Sequence, residues 1–201
     1  MREKAMLREK ILDATWEIFS REGYEAATVR RIAESIDYSP TAIYFHFGDK
    51  ANLIKAVCDR QSLRLAKMLA PLSAVSDPVS RLHAIARAYV KYAEEHPNEY
   101  LAMFVHPRPT VEGLREHPNR GNPETDAYAL LFGTVEEVIA DRGHGQDPHL
   151  VAQAAWGATH GPVSLQLVRR GEEWVEWRSL EAIVEFLVDA VLRGITKEGD
   201  K

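Results

Sequence analysis

Core-facing residues return along this chain at steps of three, four and seven, the spacing of one helix face. Leu7, Ile11, Leu12, Ala14, Thr15, Ile18 and Phe19 form the first such stripe. Gly23 breaks it where a left-handed C-terminal stop belongs. Thr28 then offers an N-cap for a short helix carrying Val29, Ile32, Ala33 and Ile36. Ser39-Pro40, Asp77-Pro78, Asn122-Pro123 and Asp147-Pro148 each pair a capping side chain with a proline at the first helical position; His96-Pro97 is a weaker version. The pattern predicts helices near 5–22, 28–36, 40–46, 49–71, 78–95, 97–106, 123–142, 148–170 and 179–194. A Pro/Gly-rich connection, "HPRPTVEGLREHPNRGNP", fills 106–123. No run alternates like a strand bounded by hairpin turns. The expected fold is all-α, with about nine helices.

Residues 28–47, "TVRRIAESIDYSPTAIYFHF", have the anatomy of a helix-turn-helix: a capped short helix, a tight turn and a second short helix. Ala33 is small where the two helices cross. Ile32, Ile36, Ile43 and Phe47 supply the apolar contacts that set the crossing. At Asp37 the chain must leave the first helix, often through a left-handed residue, a conformation Asp tolerates better than most. Ser39 caps the second helix and Pro40 opens it. That helix is too short to persist alone. With Ile43 and Phe47 turned inward, Thr41, Ala42, Tyr44, Phe45 and His46 are left to project.

A short helix held on a packed scaffold can enter the major groove of DNA. Hydroxyl, phenol and imidazole groups there reach phosphates and base edges, and apolar atoms meet a thymine methyl. Arg30 and Lys50 would neutralise phosphates, and Thr28 adds a hydroxyl at a helix start. His46, set between two phenylalanines, reads equally as a packed cap at the helix end.

The stretch "TVRRIAESIDYSPTAIYFHFGDKANLIKAV" resembles the DNA-binding domain of the TetR family of transcriptional regulators. The resemblance covers about residues 7–58, including "REKILDATWEIFSREGYEAAT" and its Gly23-Tyr24 corner. Asp37 departs from it, since the family generally has glycine there. The resemblance implies that Thr28, Arg30, Pro40, Thr41, Tyr44, His46 and Lys50 fall at DNA-contacting positions, with Ala42 and Phe45 beside them. It also implies a DNA-binding domain over 1–50 and a C-terminal effector-binding and dimerisation domain over 51–201.

Within "AAWGATHGPVSLQLV", residues 154–168, the Trp-x-x-x-His-Gly arrangement resembles a TetR subgroup marked by Trp-His-Gly. Trp156 and His160, four apart, share a helix face. His160 then either meets a ligand or partner subunit or is a hydrogen-bonded core histidine. Tyr89, Tyr92, Tyr100, Met103, Phe104, Tyr128 and Phe132 join these two as candidates for an apolar effector cavity. In the family the last two helices build a four-helix dimer interface, which points to Leu165, Val168, Ile183, Val184, Leu187 and Val191. The implied partners are a double-stranded DNA operator, an unidentified small-molecule effector and a second copy of the chain.

Composition changes this picture little. A net charge of −5 argues against a nucleic-acid coat but leaves room for a local basic face. One cysteine, Cys58, permits no internal disulfide, and the charged start "MREKAMLREKILDATW" is unlike a secretion signal. No run approaches the roughly 20 apolar residues of a membrane span. A cytoplasmic protein is expected, with no membrane association.

Enzyme signals are weak. None of the eight histidines follows a glutamate by three, as a di-iron bundle requires, and no zinc-protease, nucleophile-elbow or phosphate-loop pattern is present. Asp141, His144, Asp147 and His149 crowd into "DRGHGQDPH", where Gly and Pro favour a helix connection over a metal site. No cofactor and no metal is expected. The competing reading is a helical adaptor, or a small-molecule-binding protein or enzyme, without DNA regulation.

Overall fold

The computed structural model describes residues 2–105, 120–142, 145–169, 172 and 174–195. Among them the chain forms nine α-helices and no strand. They are α1 (Arg2–Glu22), α2 (Val29–Ser35), α3 (Pro40–Phe47), α4 (Lys50–Leu69), α5 (Pro78–Glu95), α6 (Pro97–Phe104), α7 (Ala127–Arg142), α8 (Pro148–Val168) and α9 (Leu180–Ile195). The all-α expectation holds. Most of the 106–123 connection, and His144, lie outside the described residues.

Two boundaries depart from the expected ones. The long fourth helix gives way at Leu69 to a 3₁₀ turn over Ala70–Ala74, because Pro71 has no N–H to continue the α ladder. The helix expected from 123 begins instead at Ala127. Asn122 Oδ1 accepts from the Glu124 N–H (3.0 Å) and closes a local turn. Asp126 Oδ1 is the actual cap, accepting from Tyr128 N (3.0 Å) and Ala129 N (3.3 Å).

Packing separates two compact units. The first takes residues 1–62 and 98–117, the second 63–97 and 118–201. The division falls inside α4, whose Leu53, Ile54, Val57 and Cys58 join the first unit's core together with Ala102 of α6. A division at 50/51 therefore separates sequence segments, while the packed unit continues into α4.

In the first unit the core is built from the predicted stripes. Ile11, Leu12, Ile18 and Phe19 of α1 are buried against Ile32, Ala33, Ile36, Ile43 and Phe47. Each of the larger of these side chains contributes about 1.5–3 kcal/mol on leaving water. Thr15 belongs to the stripe because its hydroxyl donates to the Ile11 carbonyl at 2.7 Å, leaving only its methyl to pack.

The α2–α3 turn is a left-handed stop. Asp37 has φ +59°, a region that costs most L-residues about 1–2 kcal/mol. Its N–H donates to Glu34 O (3.3 Å), and the Tyr38 N–H reaches back to Ala33 O (3.0 Å), the hydrogen-bond pair of a Schellman motif. Lys10 of α1 donates to the Ile36 carbonyl at 2.9 Å, pinning the turn from the side.

In the second unit α5, α7, α8 and α9 pack around one core, α8 on α9 and α5 on both α7 and α9. Buried Arg81 anchors α5: Nε donates to Val75 O (2.8 Å) and Nη1 to Glu137 Oε1 of α7 (2.7 Å). His83 stands between Glu185 (2.6 Å) and Asp189 (3.2 Å) of α9, with Arg87 also on Glu185 (2.7 Å). Among the described residues no helix is long and apolar enough to cross a membrane.

Replacing Asp37 with glycine removes the steric cost of the left-handed turn. Asp37→Gly is expected to raise the unfolding free energy by about 0.5–1 kcal/mol, and Asp37→Val to lower it by about 1 kcal/mol or more. Urea denaturation of the two variants beside the parent measures both; a glycine variant less stable than the parent contradicts the account.

Candidate nucleic-acid interface

Helix α3 is set by three local devices. The Ser39 hydroxyl accepts from Ala42 N (3.4 Å), Pro40 occupies the first turn, and Gly48 closes the end at φ +81° with its N–H on Tyr44 O (2.8 Å). A Cβ at Gly48 would be strained by that φ alone. Ile43 and Phe47 are buried, as expected. Pro40 and Thr41 are exposed, Ala42 is half-buried, and Tyr44 and Phe45 keep 50% and 73% of their surface in solvent. Two exposed rings on one short helix are costly in water and suit a surface that expects a partner.

The flanking candidates are held in place. Thr28 Oγ1 accepts from Arg31 N (3.2 Å) as the α2 cap and stays exposed. Arg31 fixes the α1–α2 corner through two bonds to Glu22 (2.7 and 2.5 Å). Arg30 is exposed but pairs with Glu34 one turn on (2.8 Å), so a phosphate must compete for it. Lys50 opens α4, where a cation opposes the helix dipole. Its ammonium lies 3.9 Å from the centroid of the Tyr24 ring, a cation–π contact that holds it. The Gly23-Tyr24 corner thus shapes the backbone and seats a cation.

His46 is the candidate the structure moves furthest from a simple groove contact. Its ring is half-buried, edge-on to Phe45 (5.7 Å between centroids) and tilted against Phe47 (6.2 Å). Burial first, then the charges of Lys4 and Arg8, hold its pKa below the ordinary 6.5. It is a neutral imidazole at neutral pH, packed at the helix end with part of its ring left in solvent.

Comparison with known proteins bears directly on this arrangement. The family model for bacterial regulatory proteins of the tetR family matches residues 11–57, the whole helix-turn-helix and its scaffold. A tetracyclin repressor-like C-terminal domain model matches residues 82–191, more than half of the chain. The chain belongs to the TetR family. It is a helix-turn-helix, DNA-binding transcriptional regulator.

The regulator is 41% identical to the HTH-type transcriptional repressor AcnR of Corynebacterium diphtheriae over 142 residues, covering 71% of this chain and 68% of that protein. Its fold matches FadR from Bacillus subtilis, solved with stearoyl-CoA, at a TM-score of 0.72 and 17% identity, over 93% of this chain and 98% of that one. It also matches NalD, the secondary repressor of the MexAB-OprM efflux pump in Pseudomonas aeruginosa, at 0.63 and 22%, over 98% and 100%. At those identities the two structures speak for the fold.

The C-terminal candidates divide between the units. Tyr100, Met103 and Phe104 lie on α6 in the first unit; the first two are buried, and the Tyr100 and Phe104 rings sit 5.2 Å apart. Tyr128, Phe132, Trp156 and His160 form a run of ring contacts between α7 and α8: Tyr128–Phe132 at 6.3 Å, Tyr128–Trp156 at 6.0 Å and Trp156–His160 at 6.3 Å. His160 Nδ1 is 3.1 Å from the Tyr89 hydroxyl, and burial holds its pKa below 6.5. A neutral ring that accepts from Tyr89 at Nδ1 carries its own proton on Nε2. Sequence marks Tyr89 as a cavity candidate without its hydrogen bond, which only the fold reveals. A cavity of about 320 Å³ lies elsewhere in the second unit, lined by Val79, His83, Val138, Arg142, Asp189, Leu192 and Arg193.

Of the dimerisation candidates, Leu165 and Val168 are exposed (56% and 57%), and Ile183, Leu187 and Val191 are half-buried. Val184 is only 1% exposed and packs in the chain's own core. Phe186, 65% exposed on α9, escapes the sequence pattern because it falls off the apolar stripe that marks the buried side.

The two histidines set a pH dependence with a definite sign. Each pKa is lower in the folded chain than its ordinary 6.5. Below 6.5 the unfolded chain therefore binds protons the native chain refuses, and stability falls as pH falls. Their contribution is complete above pH 6.5 and is lost on acidification through the lowered values. Between about pH 6.5 and 5, above the carboxylate range, a His46→Gln, His160→Gln double variant is expected to lose less stability than the parent. Chemical denaturation at several pH values checks this, and parallel curves for the two proteins would refute it.

Proposed function

We propose that the regulator is a homodimeric repressor that a small apolar or amphipathic effector releases from a palindromic operator. The observation that carries the DNA half is the two-sidedness of α3: Ile43 and Phe47 hold it down while Thr41, Ala42, Tyr44 and Phe45 face out beside Lys50. One short helix reads few bases, so useful affinity needs two copies on half-sites roughly 34–36 Å apart. The exposed apolar side chains Leu165, Val168 and Phe186 on α8 and α9 support pairing through those helices. The aromatic run Tyr128, Phe132, Trp156 with His160 supports an effector site of apolar walls and one polar anchor.

Release would work by population shift. The effector binds better to a dimer whose recognition helices no longer match the half-site spacing, and DNA binds better to the matching one. A 100-fold loss of operator affinity requires about 2.8 kcal/mol of such preference. A compound that binds tightly but leaves operator affinity unchanged is not the inducer.

The test is selection of bound sites from random DNA, followed by titration of the selected duplex. Palindromic half-sites one helical turn apart are expected. A Tyr44→Ala, Lys50→Ala variant is expected to bind that duplex at least about 50-fold more weakly, with unchanged helicity and dimer mass. Undiminished binding would overturn the interface. For the dimer, Leu165→Glu with Phe186→Glu is expected to yield folded monomers by light scattering; a persistent dimer would remove α8 and α9 from the interface.

A further inference from the structure

The N-terminal turns of α1 carry a feature that the helix-turn-helix does not require. Lys4 Nζ lies 4.7 Å from the centroid of the Phe45 ring, and Arg8 Cζ lies 5.2 Å from that of Phe47. Four residues apart, Lys4 and Arg8 share one face of α1, and that face lies along α3. Phe45 is the most exposed ring of the recognition helix, and exposed Lys4 stands over one face of it.

The helix ladder itself does not favour a lysine there. A cation in the first turns of a helix opposes the macrodipole. Lys4 has no acidic partner among the described residues, and Arg8 has only a 3.5 Å contact with its exposed neighbour Glu9. The depressed His46 titration reports the same proximity, since both cations act on that ring.

We propose that Lys4, supported by Arg8, is a second phosphate clamp of the DNA interface. It holds the sugar–phosphate backbone on the α1 side of α3, while Lys50 holds it on the α4 side. This rests on the reading of α3 as the recognition helix. The Phe45 ring orients the Lys4 ammonium beside the groove-facing surface, so the charge is placed before DNA arrives. The contact is to phosphate and carries no sequence preference. In a chain of net charge −5, two cations bracketing one short helix supply the local positive field that the whole molecule lacks.

The experiment is fluorescence anisotropy of the full chain against two labelled duplexes, the selected palindrome and a mixed-sequence control, across a potassium chloride series. Lys4→Ala is expected to weaken binding about 3- to 10-fold on both duplexes alike. It should also flatten the slope of log affinity against log salt by about one for each phosphate no longer neutralised, about two for a dimer. Lys4→Arg should restore the slope, and Lys4→Glu should flatten it further. Alanine is a better helix former than lysine, so unfolding does not confound the comparison. A Lys4→Ala slope equal to the parent's overturns the clamp while leaving the regulator reading intact. A parent chain that shows no salt-dependent duplex binding overturns both.

Discussion

The left-handed residue at Asp37 is the constraint on which the DNA-binding face depends. Two backbone hydrogen bonds, Asp37 N to Glu34 O and Tyr38 N to Ala33 O, end α2 and send the chain back at the angle α3 needs. Without that turn Ile43 and Phe47 would not meet Ile32 and Ile36, and α3 has too few residues to stay helical unpacked. Every functional side chain on α3 therefore inherits its position from a backbone conformation one element earlier. Lys10 reinforces the same point, joining α1 to the carbonyl of Ile36 and stacking over Tyr38.

Most of this unit is legible in the sequence because its determinants are local. Gly23, Thr28, Ser39 and Pro40 act within a few residues of themselves, and the predicted stops and caps appear where those residues stand. Asp37 is readable as a left-handed residue for the same reason. Asn122-Pro123 misleads because the pair also makes a tight turn, and Asp126, three residues on, competes better for the cap. Periodicity also marks buried faces far better than exposed ones. It groups Val184 with the interface candidates, although that residue lies in the chain's own core, and passes over Phe186.

What cannot be read are relations between distant residues. His83 on α5 lies between two carboxylates of α9, and Tyr89 meets His160 across 71 positions of sequence. No spacing rule links such pairs; only packing of four helices around one core brings them together. The same holds for Lys4 over Phe45. A lysine near the start of a charged helix looks like ordinary solvated surface until α3 is laid beside it.

If Lys4 and Lys50 meet phosphate as proposed, the ring-held cations expose a trade between helix stability and recognition. Lys50 and Lys4 both sit near helix N-termini, where a carboxylate would be favoured by some tenths of a kcal/mol. Each is held by a ring, Tyr24 for Lys50 and Phe45 for Lys4. A ring face offsets part of the dipole penalty without neutralising the charge, whereas an acidic partner would cancel it. Arg30 illustrates the alternative: bound to Glu34, it is ordered but locally cancelled. An acidic chain that must attract a polyanion is served better by rings than by ion pairs at these positions. On that proposal the aromatic crowding of α3 and its neighbours has two uses, reading the groove and holding nearby cations without cancelling their charge.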